Sequence, residues 1–260
     1  MKREVSNGLH IGRLDRPFAP RVIFVHGVMD RGATFLPVTR RLTSASWVIY
    51  DRRGYGRSSI EAVPTFQDHV ADLVTLIERE SQDEPVVVVG HSLGGTIALA
   101  AVSRVASCVS VVVVHEAPLP WLEWWPLRDR DGRRIEDEST HDAVVRVMER
   151  TAGRKVWEAL PEAVQGQRLS EGPVMISELV GARESCPFER KDLDMPVVVS
   201  RGSHSRGHRE QAQEWLVDNL PCAQSLVIDG AAHNVQSTHP REFSELLTSV
   251  VEGVNRRHSS

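Results

Sequence analysis

Four consecutive valines, Val86–Val89, run directly into Gly90-His91-Ser92-Leu93-Gly94, and Thr96-Ile97-Ala98-Leu99-Ala100-Ala101 follows. β-Branched residues without polar alternation favour a strand covered on both faces, and an alanine-rich run favours helix. The stretch therefore predicts a buried strand, a sharp turn and a helix in immediate succession. The glycines at both ends of the turn have a steric reason, because a Cβ there would collide with neighbouring backbone. Such a turn, a nucleophile elbow, lifts Ser92 Oγ clear of the sheet at a helix N-terminus, where amide N–H groups point at developing negative charge. The competing use of the same residues is a serine helix cap after a buried strand.

The same strand chemistry recurs along the chain. Residues 4 to 14 predict an antiparallel hairpin turned at Asn7-Gly8. Buried strands are predicted at Arg21–Val25, Trp47–Tyr50, Val109–Val114, Pro196–Val199 and Ser225–Ile228. Helices are predicted over Ala33–Leu42, over Phe66–Glu80, and over about 208–219 and 240–252. In Phe66–Glu80 the apolar positions Val70, Leu73, Val74 and Ile77 carry the helical period. Strand and helix alternate except between Pro118 and Leu193, where short helices are expected around Trp121–Trp125, His141–Arg150, Val156–Leu160 and Val174–Val180. The expectation is an α/β protein with a mostly parallel, twisted sheet of about eight strands and helices on both faces. A helical insertion after a strand's carboxyl end predicts a lid, which divides the chain into core 1–117, lid 118–193 and core 194–260. Within it, Arg128–Glu138, with an Asp131-Gly132 turn, is dense in charge and predicts a solvated, mobile loop.

Composition narrows the partners. A net charge of −4 over 260 residues gives no electrostatic basis for binding nucleic acid or an anionic membrane surface. No segment is long and apolar enough for membrane insertion, and Met1-Lys2-Arg3-Glu4 leads into no apolar signal region. Cys108, Cys186 and Cys222 are odd in number and lack metal-ligand spacing, which predicts reduced thiols in a cytoplasmic protein with no metal and no cofactor. Nothing in the sequence demands more than a monomer or weak dimer.

Four motifs in order, each after its own strand, resemble the α/β-hydrolase superfamily over nearly the whole chain. They are His26-Gly27, Asp51–Ser58, Gly90–Gly94, and Gly230-Ala231-Ala232-His233 with Pro240 following. The resemblance implies a serine-nucleophile, esterase-like member. A serine hydroxyl needs a base to remove its proton. Of 11 histidines, His233 lies in the loop past the last strand, where the family keeps its catalytic imidazole. His239 is the fallback, though beside Pro240 it reads as a cap of the last helix. His91 reads as packing, His26 as shaping its turn, and His204 and His208 as loop polarity.

The acid departs from the commoner pattern of these relatives. The loop Gly202–His208 holds no carboxylate until Glu210, whereas the strand beside the elbow ends in His115-Glu116-Ala117-Pro118. Some relatives place their acid there, so Glu116 is the candidate and Glu210 the alternative, with an acid-free dyad also open. The expected role is to accept the Nδ1–H bond and fix the imidazole tautomer. The other reading of Glu116 is an anchor for the lid hinge against an arginine.

For the oxyanion hole the expected donors are the N–H groups of Leu93 and Val28, with Met29 as neighbour. Asp51–Ser58 resembles the family's Asp-x-Arg-Gly-x-Gly-x-Ser loop and reads as structural, with Asp51 and Arg53 tying it internally. Trp121, Trp124 and Trp125 share one face if helical, and either pack lid on core or line a substrate pocket together with Met29.

These expectations converge on a serine hydrolase that cleaves a carboxylic ester, or a thioester, of a small to medium, partly apolar molecule through an acyl-enzyme. Serine at the elbow argues against epoxide hydrolases and haloalkane dehalogenases, which need a carboxylate there. C–C bond hydrolases, lactonases, amidases, acyltransferases and perhydrolases share the machinery, and a receptor-like binder with slow or no turnover is the alternative class.

Overall fold

The computed structural model describes residues 1–58, 60–127 and 132–258. The valine runs lie at its centre as β5 (Val86–His91) and β6 (Val109–His115), paired in parallel with Gly90 opposite Val114 and His91 opposite His115. On β5 the two-residue period sends Val86 and Val88 into one hydrophobic cluster and Val87 and Val89 into another. Both faces are covered, which is why neither run alternates with polar residues.

Six more strands complete the sheet: β1 (Lys2–Ser6), β2 (Leu9–Leu14), β3 (Arg21–Val25), β4 (Ser46–Tyr50), β7 (Val197–Gly202) and β8 (Ala223–Ile228). Their spatial order is β1-β2-β4-β3-β5-β6-β7-β8, antiparallel only at β1–β2 and β2–β4. One face is covered by the helices Phe66–Glu80, Leu93–Val102 and His208–Asn219, the other by Leu36–Thr39 and Pro240–His258. This is the eight-stranded, mostly parallel α/β architecture expected from the sequence. Phe66–Glu80 begins at a capping box, Thr65 Oγ1 accepting from Asp68 N and the Asp68 carboxylate from Thr65 N.

Between β6 and β7 no strand occurs among the described residues. The helices Thr140–Thr151, Arg154–Glu158, Glu162–Ser170 and Gly172–Gly181 stand there instead. They have a small core of their own (Ala143, Val144, Val147, Trp157, Val174 and Met175), which Met29 and Tyr55 join from the core loops. Of the expected Asp131-Gly132 turn, Asp131 lies outside the described residues, as do Arg128, Asp129 and Arg130 of the charged loop.

Three local expectations differ from what is observed. Ala33–Leu42 is not one helix but a 3-10 turn, Gly32–Phe35, followed by Leu36–Thr39, because Pro37 belongs in a first helical turn. Trp121–Trp125 forms two linked turns, Leu122 N–H to Leu119 O and Trp125 N–H to Leu122 O, hemmed in by Pro118, Pro120 and Pro126. Glu162–Ser170 is a helix with no buried residue, so its sequence carries no apolar period to read. Among the described residues no helix is long and apolar enough to cross a membrane.

Candidate active site

β5 and β6 end side by side, so the residues that follow them, Ser92 and Glu116, leave the sheet at one edge. Ser92 is held at φ 52° and ψ −130°, a conformation costly for any residue with a side chain, and its N–H donates to His115 O at 2.9 Å. The turn is as tight as the glycines imply. A Cβ on Gly94 would lie 2.3 Å from Val25 O, and one on Gly90 2.5 Å from Gly94 O. Glu116 also has positive φ (49°), fixed by its N–H bonding to Ser200 O at 2.9 Å. Met29, at φ 53° in the loop after β3, is a third such residue at the same edge.

His233 comes from the loop after β8. Its Nε2 accepts from Ser92 Oγ at 3.1 Å and its Nδ1–H donates to Glu116 Oε2 at 2.8 Å. An ionised carboxylate only accepts, which sets the tautomer and leaves Nε2 with a lone pair facing the serine. The loop is fastened on several sides. His91 Nε2–H donates to His233 O at 2.7 Å, His204 N–H donates to Ala231 O at 3.0 Å, and Asn234 Nδ2 donates to Thr151 O at 2.7 Å.

Burial pushes the His233 imidazole down to about 4; the bond to Glu116 opposes this, and nearby His91 and Arg209 add to it. For Glu116, burial works to raise the pKa. The hydrogen bond from His233 and the neighbouring His115 outweigh it, so the carboxyl lies well below the usual carboxylate range. Glu116 Oε1 accepts from Gly202 N at 3.1 Å, and Arg209 Nε lies 3.2 Å from Oε2. Glu210 is elsewhere, paired with Arg201 at 2.7 Å and Arg206 at 3.4 Å.

A cavity of about 930 Å³ opens over Ser92 and His233, lined by Val28, Leu93, Trp125, Ile135, Leu179 and His208 among others. The backbone N–H groups of Val28 and Leu93 donate to no partner among the described residues. The expectation of a tryptophan-lined pocket needs correction. Trp125 lines the cavity against the edge of His208 at 4.8 Å, whereas Trp121 packs on Phe188 at 5.7 Å and Trp124 is exposed. Without a helix, the spacing i, i+3, i+4 gathers nothing onto one face. Met29 likewise turns away, buried in the core of the insertion. His208, read from sequence as loop polarity, is a wall of the cavity.

The loop after β4 also differs in one partner. Asp51 ties it as expected, accepting from Gly32 N at 3.0 Å and Arg57 N at 3.1 Å. Arg53 does not take part; it pairs with Asp72 on the helix Phe66–Glu80. The neighbouring Arg52, not singled out in the sequence, donates to His26 O and Gly27 O, each at 3.0 Å, and so braces the loop that carries Val28. His26 shapes that turn, its Nδ1–H bonding to Gly27 O at 2.8 Å while Nε2 accepts from Arg52 N at 2.8 Å. No group of three or more His, Cys, Asp or Glu side chains among the described residues is arranged to hold a metal ion.

The comparisons with known proteins agree with this fold. The chain matches the alpha/beta hydrolase family model over residues 22–246. It is 31% identical over 216 residues to a monoacylglycerol lipase of Mycolicibacterium smegmatis, covering 76% of this chain and 75% of the lipase. It is 23% identical over 269 residues to a 2-(acetamidomethylene)succinate hydrolase of Mesorhizobium japonicum, covering 95% of each. Among solved structures, an esterase of Exiguobacterium antarcticum is similar in fold with a TM-score of 0.69 at 20% identity, over 94% of this chain and 95% of its own. With the matched span running from β3 into the last helix, the chain belongs to the alpha/beta hydrolase family.

Proposed function

We propose that the protein is a serine hydrolase that cleaves a carboxylic ester, or a thioester, of a small to medium, partly apolar molecule through an acyl-enzyme. The observation that carries this reading is the unbroken hydrogen-bond chain from Ser92 Oγ through His233 to Glu116, at 3.1 and 2.8 Å. Its family and its relatives, a lipase and a hydrolase by name, support hydrolysis as the reaction class.

In this mechanism His233 Nε2 takes the Ser92 proton as Oγ bonds to the acyl carbon and the carbonyl π pair moves onto oxygen. The N–H groups of Leu93 and Val28 stabilise that oxyanion, each donor contributing about 3 kcal/mol. Collapse breaks the bond to the leaving alcohol or thiol, which takes the proton back from His233. A water, deprotonated by the same nitrogen, then releases the acid. Glu116 keeps the imidazole oriented and stabilises its cation. The insertion 118–193 acts as the lid over the bound substrate, with the core contributed by 1–117 and 194–260.

Turnover of p-nitrophenyl esters of graded acyl length, with labelling by a fluorophosphonate, tests the reading. Wild type turns over and labels; Ser92→Ala does neither. Undiminished turnover by Ser92→Ala refutes it.

A further inference from the structure

The cavity over Ser92 has a strongly cationic wall. Among the described residues its lining includes Arg133, Arg146, Arg150, Arg154, Arg183 and Arg209, against only Glu116 and Glu149. Four of these arginines are already engaged by carboxylates: Arg146 with Glu138 at 3.0 Å, Arg154 with Glu149 at 3.0 Å, Arg183 with Glu136 at 2.8 Å and Arg209 with Glu116 at 3.2 Å. Arg133 is also engaged. Arg150 differs from all of them. Among the described residues it makes no hydrogen bond and no ion pair, and its side chain is open to the cavity.

The plainest explanation of Arg150 is favourable charge at a helix C-terminus, since it lies in the last turn of Thr140–Thr151. Two observations go beyond that. Arg150 donates to none of the terminal carbonyls. Its guanidinium, solvent-accessible through the cavity, is held below its ordinary pKa by the protein packed around it and by Arg146, Arg209 and Arg183 close by, so it is placed among repelling charges. The position is also anchored to the reacting centre: Thr151 O, one residue on, accepts from Asn234, the residue after His233. An anion in the cavity would give Arg150 the charge-assisted, forked contact it lacks and relieve the repulsion around it.

We propose that the substrate carries a carboxylate that binds Arg150 while its scissile acyl carbonyl lies at Ser92, so that the site takes an acidic ester such as a half-ester of a short dicarboxylic acid. The position of the scissile bond rests on the serine hydrolase reading above; the anion site does not. One uncompensated guanidinium matches one monoanion, which favours a carboxylate over a phosphate dianion. The apolar spacer between the two groups lies along Trp125, Ile135 and Leu179.

The experiment is calorimetric titration of the Ser92→Ala protein with monomethyl glutarate and with methyl valerate, its neutral counterpart. The glutarate binds at least tenfold more tightly, and this preference shrinks with added salt. Arg150→Met brings the two affinities to within about threefold, and Arg150→Lys keeps part of the preference because the charge remains without the fork. Circular dichroism confirms that each variant is folded, and the lysine variant preserves the test if the methionine variant is not. Equal affinity for the two esters, including none for either, overturns the proposal, as does a preference that survives Arg150→Met. Tighter binding of phenyl phosphate than of monomethyl glutarate overturns the monocarboxylate assignment. No turnover enters these readings, so a wild type that neither hydrolyses esters nor labels with fluorophosphonate fails the hydrolase reading separately.

Discussion

Arg52 and Glu178, 126 residues apart in the chain, form an ion pair whose side chains are 1% and 0% exposed. Glu178 sits on the insertion helix Gly172–Gly181, where it also accepts from Tyr55 OH at 2.6 Å, and Arg52 reaches on to the carbonyls of His26 and Gly27. One pair of side chains thus joins the insertion, the loop after β4 and the loop that carries Val28.

Glu178→Gln keeps the shape but leaves a buried guanidinium uncompensated, which costs about 3–5 kcal/mol and lowers Tm by roughly 10 °C in thermal unfolding. Adding Arg52→Met does not restore stability, because the carbonyls of His26 and Gly27 then lose their donor. Full recovery in the double variant would show that those carbonyl bonds carry no weight.

Glycine substitutions separate close approach from mere flexibility. Gly94→Ala drives a methyl into the carbonyls of Val25 and His26 and costs about 3 kcal/mol or more, read as a lowered urea midpoint. Gly166→Ala, in the helix Glu162–Ser170 with nothing within 4 Å of its Cβ position, raises stability by about 0.5–1 kcal/mol. A neutral Gly94→Ala would mean that the elbow relaxes more easily than its packing implies.

On the serine hydrolase reading, Glu116→Gln removes the charge that orients and stabilises the His233 cation. It lowers kcat by about 10³–10⁴ with KM little altered, by analogy with the corresponding change in serine proteases. Glu210→Gln changes kcat less than about twofold, since that carboxylate serves Arg201 and Arg206. The opposite ranking in steady-state kinetics would move the acid to the later loop.

On the same reading, protonation of His233 ends its work as a base, so kcat/KM falls as pH drops through about 4 and stays level from there towards neutrality. A limb near the ordinary 6.5 instead would mean that the ring is hydrated rather than buried. Stability follows the same sign. Between about 4 and 6.5 the unfolded chain binds a proton at this residue that the folded one refuses, so stability is lost as pH falls through that window. His26, His69, His91 and His115 are buried and displaced downward too. Each such ring loses stability as pH falls from 6.5 towards its own folded pKa, so Tm at pH 5.5 lies below that at pH 7.5 in thermal unfolding.

The valine runs, the elbow glycines and the Asn7-Gly8 turn were legible along the chain because each acts on its own backbone within a few residues. They suffice for the strand–turn–helix at Ser92 and for the sheet edge from which Glu116 and His233 emerge. The choice between Glu116 and Glu210 as neighbour of His233 came from strand order, which sets β6 beside β5 and leaves Glu210 between two arginines. The same holds for the tryptophans and for Arg52 and Arg150. Local pattern can assign a residue to a helix or a turn, but whether its side chain meets a partner, a repelling charge or an open cavity depends on other elements of the fold, brought together only by packing.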